Sequence, residues 1–470
     1  MTMIKNCAII IHVACSENEI LAQLAEHTPF KRRVEGSNPS YLTKRSVSCF
    51  VIRIFCYPDK MKFCQKRKAA QEMDLQNQLR LHNRTERIVK SGIQEGKIAG
   101  ACVAVCRGQE EYLCEAYGMA DLERKLPMQE NAIFRMFSLT KPVTAVMTMQ
   151  LWEAGFLELS EPVSWYIPSF REKMVDKDGE LVPAEREILI QDLLNMTSGI
   201  PYPDQFSLSQ KKMGELYGEI DRRNDTDHPI DTQELARRIG EEVPLLFQPG
   251  AKWAYGASAD VLGAVLEKAA DMPLDELYRE NIFKPLGMTD TDFYVPEEKR
   301  GRLAQLYNYC WENGKGELVI EPDPHLGMTD YRKKPAFFSG GAGLVSTVRD
   351  YMQFANMLAG KGFHRESGMR LIGENTWRYL TTPQLNAAQK EGIDWPQLKG
   401  YTYGNLLRVL EEPQACMTNV PAGEFGWDGW TGPYFCVSPQ DGTVLLYLVQ
   451  TCGGSTSDIV RKLRTATFGC

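Results

Sequence analysis

A serine hydroxyl becomes a useful nucleophile at neutral pH only when a neighbouring base takes its proton. Ser138-Leu139-Thr140-Lys141 offers such a pair at i, i+3 spacing. If a helix starts at Ser138, both side chains fall on one face, with Cβ atoms ~5–6 Å apart. Lysine serves as a base only when its pKa falls. Burial among Phe134, Phe137 and Leu139, at the positive end of a helix dipole, would lower it. Pro142 is tolerated only in a helix's first turn, which independently places the helix start near Ser138. The spacing alone is weak, because Ser209-Gln210-Lys211-Lys212 satisfies it too. That second copy lies in a polar stretch and reads as solvated surface.

The elements that must position these groups can be read coarsely. Residues 74–96 suggest an amphipathic helix with Leu75, Leu79, Ile88 and Ile93 as apolar positions. Ala99–Arg107 and Glu110–Tyr117 suggest a hairpin around Gly108-Gln109, and Gly118–Leu126 a polar connection. Pro142–Phe156 suggests a helix with Val143, Val146, Met147, Leu151 and Ala154 on one stripe, and another helix starts at Ala257. Residues 203–240 and 300–337 read as loop-rich. A helix follows the glycine cluster in Ser339–Gly360, and Tyr434–Ser438 and Thr443–Gln450 read as closing strands. Strands near both ends with helices between them imply one sheet built from distant segments, with a helical part inserted.

Several ordered segments resemble the β-lactamase-related serine hydrolases, which include class C β-lactamases, penicillin-binding proteins and related esterases. Phe134–Pro142 is similar to the nucleophile motif. Leu193-Leu194-Asn195-Met196-Thr197-Ser198-Gly199 resembles a family segment in which histidine usually stands where Met196 is. Tyr255 through Gly263 resembles the second motif and its following helix, in the form found in the esterase branch. Pro285–Thr291 and Gly340–Thr347 with Asp350 complete the series, from about Met73 to the C-terminus.

The resemblance implies an α+β, β-lactamase/transpeptidase-like fold: a mostly antiparallel sheet from 97–137 and 338–470, flanked by helices, with helical residues 138–337. It implies a Ser138 acyl-enzyme, with Lys141 as base and Tyr255 as proton relay. A phenol beside cationic and polar groups is expected to lose its proton more easily. The third motif, usually Lys-Thr-Gly or His-x-Gly, aligns with Trp427-Asp428-Gly429. Gly429 would allow close approach to substrate, and the amides of Ser138 and Trp430 would form the oxyanion hole. Trp427 cannot hold a substrate carboxylate, and Asp428 would repel one if it faced the pocket. With Tyr434, the two tryptophans would make an aromatic wall suited to uncharged acyl esters. The rival readings are a β-lactamase or D-amino-acid peptidase and, in another class, a non-catalytic binding protein of the same fold.

Composition narrows the field further. A net charge of −7 argues against a nucleic-acid partner. No apolar run reaches the ~18 residues needed to span a bilayer. None of the six histidines lies in a metal-ligand pattern, and no CxxC pair occurs among the 13 cysteines. No phosphate loop, dinucleotide fingerprint or GxSxG elbow is present. The expectation is a cofactor-free, metal-free cytoplasmic enzyme with reduced thiols and a small acyl substrate; the oligomeric state is not readable.

Residues 1–72 differ in character. They hold five of the cysteines and basic clusters such as Lys31-Arg32-Arg33. Leu21–His27 followed by Gly36-Ser37-Asn38-Pro39 resembles a transfer-RNA gene read as protein. The expectation is a non-native or disordered extension from a start assigned too far upstream, with translation beginning at Met61 or Met73 and the hydrolase domain at 73–470. Mass spectrometry of the native N-terminus checks this. An export signal is disfavoured, because the apolar run Cys7–Ala14 is short and broken by His12.

Overall fold

Strand alternation explains the architecture. In strand β1 (Gly100–Arg107), Ala101, Val103 and Val105 point to one face and Cys102, Ala104 and Cys106 to the other, and all six are buried. A strand buried on both faces needs helices on both faces. The computed structural model describes residues 58–312, 315–321, 326–328, 331–452 and 458–470. The chain divides into two units, Met1–Arg67 and Lys68–Cys470, and the second holds the sheet. The proposed extension lies outside the described residues up to position 57. Residues 58–72, expected to lack periodic structure, belong to helix α1 (Pro58–Gln94).

After α1 come β1, β2 (Glu110–Asp121) and β3 (Leu126–Pro127). Helix α2 (Thr140–Glu153) carries Lys141. Helices α3 (Leu208–Arg223), α4 (Thr232–Glu242) and α5 (Ser258–Ala270) follow, then α6 (Val348–Ala359). The sheet is completed by β4 (Tyr401–Gly404), β5 (Leu407–Leu410), β6 (Phe425–Asp428), β7 (Tyr434–Val437) and β8 (Val444–Val449), before α7 (Asp458–Phe468). Its order is β4-β5-β6-β7-β8-β1-β2-β3, antiparallel throughout. One face packs on α1 and α7 through Leu81, Val89, Ile459 and Leu463; the other packs on the helical part through Leu446, Phe435 and α2. The expected α+β fold with a helical part is what forms.

Several local readings are corrected. On α1, Leu75 and Leu79 are exposed, while Ile88 and Ile93 pack towards the sheet as expected, joined by Leu81, Thr85 and Val89. α2 is buried on every side from Thr140 to Met149 rather than along one stripe, and Ala154 is exposed beyond its end. Its inward threonines are satisfied locally: Thr148 Oγ1 donates to Thr144 O at 2.8 Å. Residues 203–240 are mostly helical. In the other stretch read as loop-rich, strand Tyr307–Glu312 pairs antiparallel with strand Lys315–Ile320.

Candidate active site

Ser138 sits in a 3₁₀ turn, Phe137–Leu139, that runs directly into α2. Its side chain is partly exposed, while Phe137, Leu139 and Lys141 are buried. Phe137 has φ +44°, a sterically costly conformation for a bulky residue. Its ring meets Trp430 edge-on at 5.3 Å. Pro142 falls in the first turn of α2, where its missing N–H costs nothing.

Lys141 Nζ donates to Ser138 Oγ at 3.1 Å, to Tyr202 OH at 3.0 Å and to Gly341 O at 2.8 Å. Burial lowers its pKa to about 7, against the opposing pull of Asp260 and Asp428. A large fraction of the amine is therefore neutral near neutral pH, as a base requires. Tyr255 is hydrogen-bonded to Ser138, and its ring lies 4.7 Å from Lys141 Nζ. Trp427 Nε1 donates to Tyr255 OH at 3.0 Å. Burial raises the Tyr255 pKa above its ordinary value despite these two bonds. The expectation of an easily ionised phenol is thus corrected, because desolvation outweighs the hydrogen bonds. Tyr255 is a neutral hydroxyl that can accept one proton as it passes on another.

The loops around Tyr255 are held by backbone contacts. Ala254 N donates to Met196 O at 3.0 Å, so the Leu193–Gly199 segment supports the Tyr255 loop. A Cβ at Gly256 would lie 2.0 Å from Ile200 O, so only glycine lets the loop cross there, next to Tyr202. Gly429 does the same for the third motif. A Cβ there would lie 2.6 Å from Met136 O, so the end of β6 packs against the backbone leading into Ser138.

The structure thus brings Ser138, Lys141, Tyr255, Trp427, Gly429 and Trp430 around one turn. Asp428 and Tyr434 are different. They pair across β6 and β7 and share the opposite face from Trp427, since consecutive strand residues alternate. Tyr434 packs among the α1 and α7 contacts, and Asp428 lines a cavity with Arg408 and Arg464. The aromatic wall expected from Trp427, Trp430 and Tyr434 is therefore built differently. Trp395 meets Tyr255 at 5.0 Å, Trp253 meets Trp395 at 5.5 Å, and Tyr403 meets Trp427 at 5.0 Å.

Three groups at the site escaped sequence reading. Tyr202 bonds Lys141 from a loop 61 residues away, and burial holds its pKa well above the usual phenol value. Asp260 accepts from Gly341 N at 2.9 Å, Tyr217 OH at 2.8 Å and Ser339 Oγ at 2.5 Å, which aims the Gly341 carbonyl at Lys141. Trp395 closes over Tyr255. Asp260 had a signal in the second motif's helix, and Gly341 in the glycine cluster. Tyr202 and Trp395 had none.

The Beta-lactamase family model matches residues 85–467. The chain belongs to the β-lactamase family. A protein of Mycobacterium tuberculosis is 32% identical over 398 residues, 79% of this chain and 92% of its own length. Esterase EstB of Burkholderia gladioli is 29% identical over 402 residues, 82% of this chain and 94% of its own. Among solved structures, EstCE1, described as a hydrolase with promiscuous acyltransferase activity, superposes with a TM-score of 0.69 at 25% identity, covering 83% of this chain and 99% of its own. The simvastatin synthase LovD of Aspergillus terreus shares the fold, with a TM-score of 0.66 at 20% identity over 82% of this chain and 97% of its own.

Proposed function

We propose that this family member is a serine hydrolase of esterase type, acting on small uncharged acyl esters through a Ser138 acyl-enzyme. The observation that carries the reading is the Ser138–Lys141 contact at 3.1 Å, with the lysine brought to about 7 by burial. Lys141 takes the proton as Ser138 Oγ attacks the ester carbonyl. The amides of Ser138 and Trp430 receive the oxyanion, where preorganised donors act most strongly. Tyr255, bonded to Ser138, hands a proton to the departing alkoxide. Lys141 returns its proton to Tyr255; water then attacks the acyl carbonyl, giving a proton to the Tyr255–Lys141 pair, which passes one to Ser138 Oγ as the acyl–Oγ bond breaks and the acid leaves. No cofactor or metal enters this sequence.

Two observations support an ester over a lactam or a peptide stem. Trp427 occupies the position of the third-motif lysine and spends its N–H on Tyr255. The surroundings are an aromatic cluster rather than a cationic carboxylate clamp. The likeness to esterase EstB points the same way. Cys102, Cys106 and Cys436 are buried free thiols, which supports a reducing, cytoplasmic setting.

Parallel assays with p-nitrophenyl acetate and nitrocefin test the reading. Ester turnover with slow or absent nitrocefin turnover is expected. Fast nitrocefin hydrolysis without ester hydrolysis would overturn it in favour of a β-lactamase.

A further inference from the structure

Four aromatic rings pack on Tyr255, and they are not equivalent. Between ring centres, Trp395 lies at 5.0 Å, Trp427 at 5.4 Å, Tyr202 at 5.6 Å and Trp253 at 6.3 Å. Trp427 and Trp253 are 1% and 2% exposed, so neither has surface left for a substrate. Tyr202 is committed to the base, because its hydroxyl accepts from Lys141 Nζ at 3.0 Å. Trp395 is only half-buried. It meets Tyr255 and Trp253 edge-on, which leaves part of the indole uncovered.

The indole is anchored on both sides. Trp395 stands between the short helix Ala387–Lys390 and the 3₁₀ turn Pro396–Leu398. Asn386 caps that helix by accepting from Gln389 N at 2.9 Å. Gln389 then ties the segment to the Tyr255 loop twice. Its carbonyl accepts from Trp253 N at 3.2 Å, and its side chain donates to Gly250 O at 2.8 Å. A Cβ at Gly392 would lie 2.2 Å from Trp253 O, so only glycine permits the two segments to cross so closely. Leu398 N donates to Trp395 O at 2.9 Å and closes the turn. A ring held in this way loses little side-chain freedom when a substrate packs on it.

The half of the substrate that meets Trp395 follows from the proton route. On the esterase reading above, Tyr255 protonates the departing alkoxide. The alcohol oxygen must then come within hydrogen-bonding reach of Tyr255 OH, ~2.6–3.2 Å. The carbons attached to that oxygen lie beside the Tyr255 ring, where Trp395 is the half-open neighbour. The acyl group stays behind on Ser138. An indole attracts a second aromatic ring more strongly than a saturated ring of the same size, because the quadrupoles of two π-systems add to the buried area.

We propose that Trp395 is the specificity-determining residue on the alcohol side of the site, and that it selects esters whose alcohol carries an aromatic ring. The proposal rests on the esterase reading and adds the class of alcohol to it.

Benzyl acetate and cyclohexylmethyl acetate test it, because they differ in the aromaticity of the ring and pass through the same acetyl-enzyme. A difference in kcat/KM between them arises before the alcohol has left. A ratio taken within one variant also cancels any loss of folded protein. The benzyl to cyclohexylmethyl ratio should fall about five-fold from wild type to Trp395→Leu, the worth of one aromatic pair. Trp395→Phe, which restores a ring, should keep the ratio within about two-fold of wild type. The ratio of p-nitrophenyl acetate to p-nitrophenyl hexanoate varies the acyl group alone and should stay within about two-fold in wild type and both variants. An unmoved alcohol ratio in Trp395→Leu, an equal fall in Trp395→Phe, or an acyl ratio that shifts more than the alcohol ratio would overturn the proposal. Wild-type protein that hydrolyses none of these esters would overturn the esterase reading itself, whereas turnover with an unmoved alcohol ratio overturns only the role of Trp395.

Discussion

The molecule contains two Ser-x-x-Lys turns, and they are near inversions of each other. At the first, Ser138 is partly exposed and Lys141 is buried. At the second, Ser209 is fully buried at the start of α3, within 3.5 Å of Asp176 Oδ2 and Leu245 O, and Lys212 is half-exposed and paired with Glu215 at 2.9 Å. Spacing is the same, yet only one turn has a lysine whose environment removes its charge. A third site supplies the complementary control. Lys173 is also buried, and burial also brings its pKa to about 7. Its ammonium nitrogen, however, donates to the carbonyls of Ile239, Gly240 and Val243 at 2.5–3.0 Å, at the C-terminal end of α4. It has no serine to serve. Chemistry needs the coincidence of spacing, exposure of the hydroxyl and burial of the amine.

The sharpest way to break this comparison is to exchange the serines' fates. Ser138→Ala should lower kcat for p-nitrophenyl acetate by at least about 10⁴-fold and abolish labelling by a fluorophosphonate probe. Ser209→Ala should leave kcat and labelling within about two-fold and change stability by only about 1 kcal/mol, the worth of its weak hydrogen bonds. Equal labelling of wild type and Ser138→Ala would mean another nucleophile.

The lysines come next. Lys141→Met should cost about 10³–10⁴-fold in kcat/KM, while Lys212→Met should cost nothing measurable. Lys173→Met should leave kcat unchanged but destabilise the fold by about 1–3 kcal/mol, because helix-end carbonyls lose their donor. The wild-type pH profile distinguishes the two buried lysines again. The base works as the neutral amine, so kcat/KM should rise with pH through about 7 and then level off. Lys173→Met should retain that limb, and a limb that vanished with Lys173 would assign it wrongly to Lys141.

Tyr255→Phe should fall below these, at about 10²–10³-fold in kcat with fluorophosphonate labelling reduced but present. Its ring can still fill the space beside Trp427 and Trp395, so the loss reports the hydroxyl alone.

How much of this was legible in the sequence follows from the same physics. Ser138, Lys141 and Tyr255 lie in local motifs, and a motif is a local statement. α3 and α4 were hidden by their charges. Arg237–Glu241 and Arg238–Glu242 are i, i+4 pairs on the solvent side. The buried stripes Met213, Leu216, Tyr217, Ile220 and Leu235, Ala236, Ile239 are sparse beside them. Two cap signals were there to be read: Ser207 accepts from Gln210 N, and Asp231 from Glu234 N. The opposite faces of Trp427 and Asp428 were implied by strand alternation, but which face met Ser138 was not, because that depends on which side of the sheet α2 packs. Tyr202 was out of reach, since nothing in Pro201-Tyr202-Pro203 relates it to a lysine 61 residues earlier.

Tyr202 also provides the finest test of why the first turn works. Two places after Tyr255 stands Ala257, a residue with no polar atom in its side chain. The Tyr202 hydroxyl supplies an oxygen to Lys141 from a different loop. Removing it with Tyr202→Phe deprives the ammonium form of one acceptor, and hydrogen bonding to a charged form favours that form. The lysine pKa should therefore fall further, and the rising limb of kcat/KM should move to lower pH. The amine, less well held against Ser138, should at the same time lose about ten-fold in kcat. A residue that merely filled space would lower activity without moving the limb. A reduced kcat on an unmoved limb would therefore remove Tyr202 from the proton-transfer network and leave Gly341 O, oriented through Asp260, as the remaining contact that positions Lys141 against the serine.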